Sequence, residues 1–213
     1  VSEFATSAIL QTLKKPTRQQ FVIRMESVGL SDVARVGGKN ASLGEMIREL
    51  KESGIRVPSG VVVTTDAYRH FIREAELEEV IKKALSLWDK NSIESLEEVT
   101  EAIRTHVREA PIPAELEREI ATGYESMEKQ YGKSIDVAIR SSATAEDLSG
   151  ASFAGGYETY IGIRGKKDIL RAVRNCYASL FTARAVFYRH EKGFDHFDIA
   201  LSVAIQRMVR TDR

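Results

Sequence analysis

A single cysteine, Cys176, excludes an intrachain disulfide and points to a reduced, cytoplasmic setting. Neither sign of charge is in excess. The 31 basic residues are matched by 31 acidic ones, so the basic surplus of a nucleic-acid binder is missing. No apolar run approaches the roughly 20 residues of a membrane helix. The patch Ala8-Ile9-Leu10 is too brief for a secretory h-region. The four histidines, His70, His106, His190 and His196, show no ligand spacing such as two residues one turn apart, so no metal site is expected from them. There is no internal repeat and no low-complexity tract. What is present is an ordinary globular composition, 43% hydrophobic, over a length suited to one domain or one large lobe.

Residues 1–20 read as a tail or leader, or a loosely docked helix, and the domain as 21–213. Phe21–Met25 is expected to be a short strand. A glycine pair, Gly37-Gly38, then runs into a helical pattern whose Leu43, Met46, Ile47 and Leu50 share one face. Val61–Val63 is a second strand, and Thr65 or Asp66 is placed to cap the next helix. From about Asp66 to Tyr131 the chain reads as helical, broken near Asn91 and again at Pro111 and Pro113. Ile93, Leu96, Val99, Ile103 and Val107 form one stripe; Leu116, Ile120, Tyr124, Met127 and Tyr131 form another. Ile135–Arg140 and Tyr157–Ile163 are expected strands. One long helix then carries Ile169, Val173, Cys176, Leu180 and Phe187, with Cys176 in its buried stripe, and Ile199–Val209 closes the chain as a strand. Strands at both ends of a helical middle define an α+β class.

Three segments carry chemistry. Gly37-Gly38-Lys39-Asn40 allows close backbone approach to an anion at a helix N-terminus, with a lysine cation beside it. It is not the Gly-x4-Gly-Lys-Ser/Thr phosphate loop, and a solvated glycine turn fits it as well. Arg140 ends an apolar strand and precedes a small-residue loop, Ser141 to Gly156, of a composition that can close over phosphates. A plain connection with Arg140 paired to Glu146 or Asp147 is equally compatible. Gln206-Arg207-Met208-Val209 offers apolar surface and an amide to a purine, or simply continues a core strand.

In order along the chain stand Val36-Gly37-Gly38-Lys39-Asn40-Ala41-Ser42-Leu43-Gly44-Glu45-Met46, Val57-Pro58-Ser59-Gly60, Arg140-Ser141-Ser142-Ala143-Thr144-Ala145-Glu146-Asp147, Ala151-Ser152-Phe153-Ala154-Gly155, Ala178-Ser179-Leu180-Phe181 and Gln206-Arg207-Met208-Val209. From Phe21 to Arg213 this series resembles the nucleotide-binding domain shared by phosphoenolpyruvate synthases and pyruvate phosphate dikinases. Antibiotic phosphotransferases of the rifamycin-inactivating kind share similar strings, and a non-catalytic half-domain is a further alternative. The resemblance implies the first part of an ATP-grasp fold, with ATP between two α+β subdomains and Mg2+ as its counter-ion. It implies that ATP, pyruvate and water become AMP, phosphate and phosphoenolpyruvate through a phosphohistidine on a swivelling domain, finished by a pyruvate-binding barrel.

Carried over motif by motif, Gly38 and Lys39 would contact ATP phosphates, and Arg140 would stabilise the departing phosphoryl group as the catalytic cation. Ser152, Phe153, Ala154, Gly155 and Gly156 would cover the terminal phosphates. Gln206, Met208 and Val209 would border the adenine. Where relatives commonly continue Phe-Ala-Gly with Gln-Gln or Gln-Met, this chain has Gly156 and Tyr157. The resemblance further implies that the family's acidic and amide metal ligands lie in a second ATP-grasp half beyond Arg213, so weak nucleotide binding and no turnover are expected of 21–213 alone.

Overall fold

The computed structural model describes residues 20–144 and 158–209. Among them, β1 (Val22–Arg24) is followed by two single 3-10 turns, α1 (Val33–Glu52) and β2 (Gly60–Val63). Four helices come next: α2 (Thr65–Glu74), α3 (Leu77–Ser86), α4 (Ile93–Glu109) and α5 (Ala114–Tyr131). Then come β3 (Val137–Ala143), β4 (Thr159–Ile163), α6 (Gly165–Ala178), α7 (Ala183–Glu191) and β5 (Leu201–Arg207). The described strands form one antiparallel sheet in the order β1-β2-β5-β3-β4, so the last of the five enters at the centre. The α+β class expected from the sequence is the one observed.

Side chains alternate between the faces of a pleated strand, and this sheet is packed on both. Val61, Val63, Val137, Ile139, Leu201, Val203 and Ile205 join the main core under the helices from α2 to α7. On the other face Ile23, Val62 and Ala204 meet Val36, Ala41 and Ile47 of α1 in a smaller core. Burial on both faces explains why Val61–Val63 is an unbroken apolar run rather than an alternating one. The β1 edge is partly capped, since the Glu119 carboxylate accepts from the backbone N–H groups of Phe21 (2.9 Å) and Val22 (3.1 Å).

Several local expectations are corrected. The buried face of α1 is only in part the expected Leu43/Met46/Ile47/Leu50 stripe, since Ile47 is buried and Leu43 packs against the smaller core but Met46 does not. Its small residues Asn40, Ala41 and Gly44 face inward with Val36 and Ile47, and Met46 is 48% exposed. Close approach decides this, because a Cβ on Gly44 would lie 2.4 Å from the Val28 carbonyl oxygen. The cap of α2 is Thr64, whose side chain accepts from the Ala67 N–H, while the Thr65 hydroxyl donates to the Ala34 carbonyl. β3 runs on through Ser141 to Ala143, three residues past the expected end. The long helix is two, since the chain turns at Ser179–Phe181 and restarts with the Thr182 hydroxyl accepting from the Ala185 N–H. Ile93 and Phe187 face outward, whereas the rest of their stripes is buried.

The turn between the two helices also buries a charge. Arg189 donates to the Leu180 carbonyl (2.6 Å) and, through Nε, to Nδ1 of His196 (3.0 Å). That bond requires His196 to keep a lone pair on Nδ1. Burial, then the Arg189 guanidinium, pushes its pKa down to about 4; Lys90 and His190 act in the same sense and Asp195 against them. An unfolded histidine titrates at about 6.5, so as pH falls from there towards 4 the unfolded chain binds a proton that the folded chain refuses. Stability therefore falls with pH across that window and gains nothing from this group above it. His196→Asn, which can keep an acceptor for Arg189 but does not titrate, is expected to show a shallower fall in melting temperature between pH 6.5 and 4, followed by circular dichroism. An unchanged slope would refute the assignment.

Candidate functional site

The glycine pair does not sit inside a smooth helix. Gly37 has φ 71° and ψ 161°, a region open only to glycine, and it separates one turn (Val33–Val36) from a helix that begins at Gly38. A Cβ at Gly37 would lie 2.4 Å from Ser142 Oγ and 2.8 Å from the Ser142 carbonyl oxygen. The turn thus rests on the backbone of β3, two residues from Arg140. Asn40 donates from Nδ2 to Ser202 Oγ (2.9 Å), and that hydroxyl reaches the carbonyls of Val36 and, at 3.1 Å, Ser142. Ser142 and Ser202 are register partners across β3 and β5, so one polar knot ties the turn to both strands.

Two cations stand at this knot. Lys39 is exposed on the first turn of the helix, and Arg140 is the sole exposed residue of β3, in its middle rather than at its end. The pleat puts Arg140 on the same face as Ser142, the face that α1 covers only in part. The helix begins at Gly38, so the positive end of its dipole lies at Gly38 and Lys39. The arrangement can hold a multiply charged anion.

The third segment lies farther along the same strands. Met208 follows β5, its N–H donating to the Asp136 carbonyl (3.0 Å) and its sulfur lying 3.0 Å from the Gly162 nitrogen. Met208 and Val209 line an open cleft of about 370 Å3 with Tyr131, Asp136, Arg164 and Arg207. Arg207 stacks over Tyr131 at 4.4 Å from the ring centre, and Arg164 grips Asp136 through a forked ion pair. Gln206 is 8% exposed, and its amide nitrogen donates to the Pro58 carbonyl (2.8 Å). A larger cleft of about 580 Å3 lies at the opposite edge, between β1 and α5, away from all three segments.

Along β5, Ser202 underlies the glycine turn and Met208 opens the cleft, six residues or about 20 Å apart. Arg140, paired with Ala204, lies between them. Register adds two residues that the sequence reading missed. Thr159 pairs with Arg140 and shares its face; Ile161, in the irregular stretch that follows, is 67% exposed. Only strand pairing could reveal them. Ser202 did leave a signal, as a hydroxyl within an apolar strand. Ser152, Phe153, Ala154, Gly155 and Gly156 lie outside the described residues.

The remaining titratable groups look structural. His70 stacks on Phe21 at 4.6 Å, with Nε2 2.6 Å from a Glu115 carboxylate oxygen. Cys176 is buried, and burial pushes its thiol well above the usual range. Among the described residues no group of His, Cys, Asp and Glu could hold a metal ion.

Residues 33–213 match the family model described as pyruvate phosphate dikinase, AMP/ATP-binding domain, and the chain belongs to that family. Its curated relatives include phosphoenolpyruvate synthases. The chain is 44% identical to that of Synechocystis over 97% of its own length and 26% of the relative's. It is 48% identical to that of Deinococcus radiodurans over 86% of its length and 23% of the relative's. A probable phosphoenolpyruvate synthase of Methanocaldococcus jannaschii is 41% identical over 96% of the chain and 17% of that protein. The chain thus spans about a quarter or less of the length of these relatives.

Gly37 gives a direct check on this geometry. Gly37→Ala meets both a forbidden φ and the Ser142 backbone, whereas Gly54→Ala meets only a positive φ (75°) in open space. Gly54→Ala is expected to lose about 1–2 kcal/mol in urea unfolding, and Gly37→Ala at least about 1 kcal/mol more. Equal losses would mean that the turn does not rest on β3.

Proposed function

We propose that residues 21–213 form the first lobe of an ATP-grasp site and bind ATP with Mg2+. The carrying observation is that Gly37 is seated on Ser142, which brings the Lys39 turn to within two residues of Arg140 on an exposed face. Gly38 and Lys39 hold phosphate oxygens with backbone N–H groups and an ammonium. Arg140 stabilises charge on the phosphoryl group being transferred, an electrostatic role with no covalent step. Met208 and Val209 supply the apolar wall for the base. Gln206, its nitrogen held by Pro58, orders the strand beside that wall. The roughly 20 Å between the Ser202 and Met208 positions suits a nucleotide that carries a chain of phosphates.

The Ser152–Gly156 loop as a cover over the terminal phosphates rests on the family resemblance. So does the wider reaction: ATP, pyruvate and water give AMP, phosphate and phosphoenolpyruvate, by way of a phosphohistidine on a swivelling domain and a pyruvate-binding barrel. Family membership and the synthase relatives favour this chemistry. Magnesium would arrive with ATP, its protein ligands belonging outside the described residues. Bound on one lobe, ATP is held weakly, because that lobe supplies only part of the contacts that offset the entropy of association.

Calorimetric titration of the chain with Mg-ATP tests the site. Saturable binding is expected, weakened about tenfold or more by Lys39→Met and by Arg140→Met, the usual worth of a hydrogen bond to a charged group. Adenosine affinity should not change. Failure to bind at millimolar ATP, or indifference to both substitutions, would remove the proposal.

A further inference from the structure

Resting on the ATP reading, we infer that Asn40 and Ser202 act as a positioning pair: they lock the glycine turn on both sides of Gly37 so that Lys39 stands in register with Arg140. Both side chains are buried, Asn40 at 3% exposure and Ser202 at 0%. A buried amide and a buried hydroxyl destabilise the fold unless each is hydrogen-bonded. Here they bond one another across 162 residues of sequence.

The geometry goes beyond mutual satisfaction. A serine hydroxyl has one proton and two lone pairs. Asn40 Nδ2 occupies a lone pair, which directs the proton to the carbonyls of Val36 and Ser142. Val36 precedes Gly37, Asn40 follows Lys39, and Ser142 belongs to the strand of Arg140. The knot therefore fixes the backbone on either side of the one residue whose conformational freedom is greatest, and fixes it to β3 and β5 together. Lys39 is carried between two tethered positions. An apolar pair would fill the same space but leave the height of that turn above β3 to packing alone.

A purely structural role and a positioning role predict different behaviour. Ser202→Ala is expected to weaken ATP binding about tenfold, as the loss of a correctly placed charged contact does, and to leave adenosine binding unchanged. In that background Lys39→Met should cost less than about twofold, against about tenfold in the parent chain, because a misplaced lysine has little left to lose. Asn40→Ala, which spares the hydroxyl's bonds to both carbonyls, provides a second variant should Ser202→Ala fold poorly. Thermal melts confirm that each variant is folded. Costs that multiply independently, or adenosine binding weakened in parallel with ATP, would overturn the positioning role while leaving the ATP site intact. A silent Lys39→Met in the parent chain would overturn the positioning role, and the ATP site falls with it only if Arg140→Met is silent too.

Discussion

The contact between Gly37 and Ser142 is the constraint on which the candidate site depends. No side chain larger than hydrogen fits between that turn and the backbone of β3, where a Cβ would come within 2.4 Å of Ser142 Oγ. Because the turn is so close, the helix behind it starts directly above the sheet. Its N-terminal groups and the Arg140 side chain then occupy a common face. Glycine permits the approach without enforcing it. Enforcement comes from the buried knot of Asn40, Ser202, Val36 and Ser142, which replaces the rotational freedom of the glycine with directional bonds.

The same economy of space shapes the rest of α1. Ala41 packs on the sheet and Gly44 on the Met25–Val28 turn, which leaves no room for a side chain at position 44, while the bulkier Met46 turns away. A helix held this tightly packs on β2, β5 and the Ser142 end of β3, and leaves the middle of β3 and the outer strand β4 exposed on that face. The uncovered strip carries Arg140, Thr159 and Ile161. The candidate site is the part of the sheet that packing leaves open. Position 140 of β3 carries an arginine that is exposed among the described residues, while its neighbours on both sides are buried.

Much of this was legible in the sequence, for identifiable reasons. Apolar runs and stripes gave the strands and most helices, since burial on one or both faces leaves periods of two or 3.6. The motif strings located the glycine turn, Arg140 and the Met208–Val209 segment. What periodicity misjudged were places where close approach, not hydrophobicity, decides orientation: the inward face of α1, and the break at Thr182 within an apolar stripe. Ser202 and Thr159 acquire meaning only through strand pairing, which joins residues far apart in the chain. The Gln206 amide could not be placed from sequence, because its partner is a backbone carbonyl that carries no side-chain signature.

The central position of β5 has a consequence for how such a chain comes to be folded. It pairs with β2 and β3 and is the last of the five to leave the ribosome. Until it arrives, β1 with β2 and β3 with β4 are two separate ribbons, each showing an unpaired edge and apolar side chains on both faces. Contacts that join residues this distant in sequence form late and close large loops. During synthesis the nascent chain therefore passes through an interval in which its two half-sheets can seek wrong partners. That interval ends with the strand that brings Ser202 under the glycine turn, so the candidate site is assembled in the same step that pairs the open edges of β2 and β3.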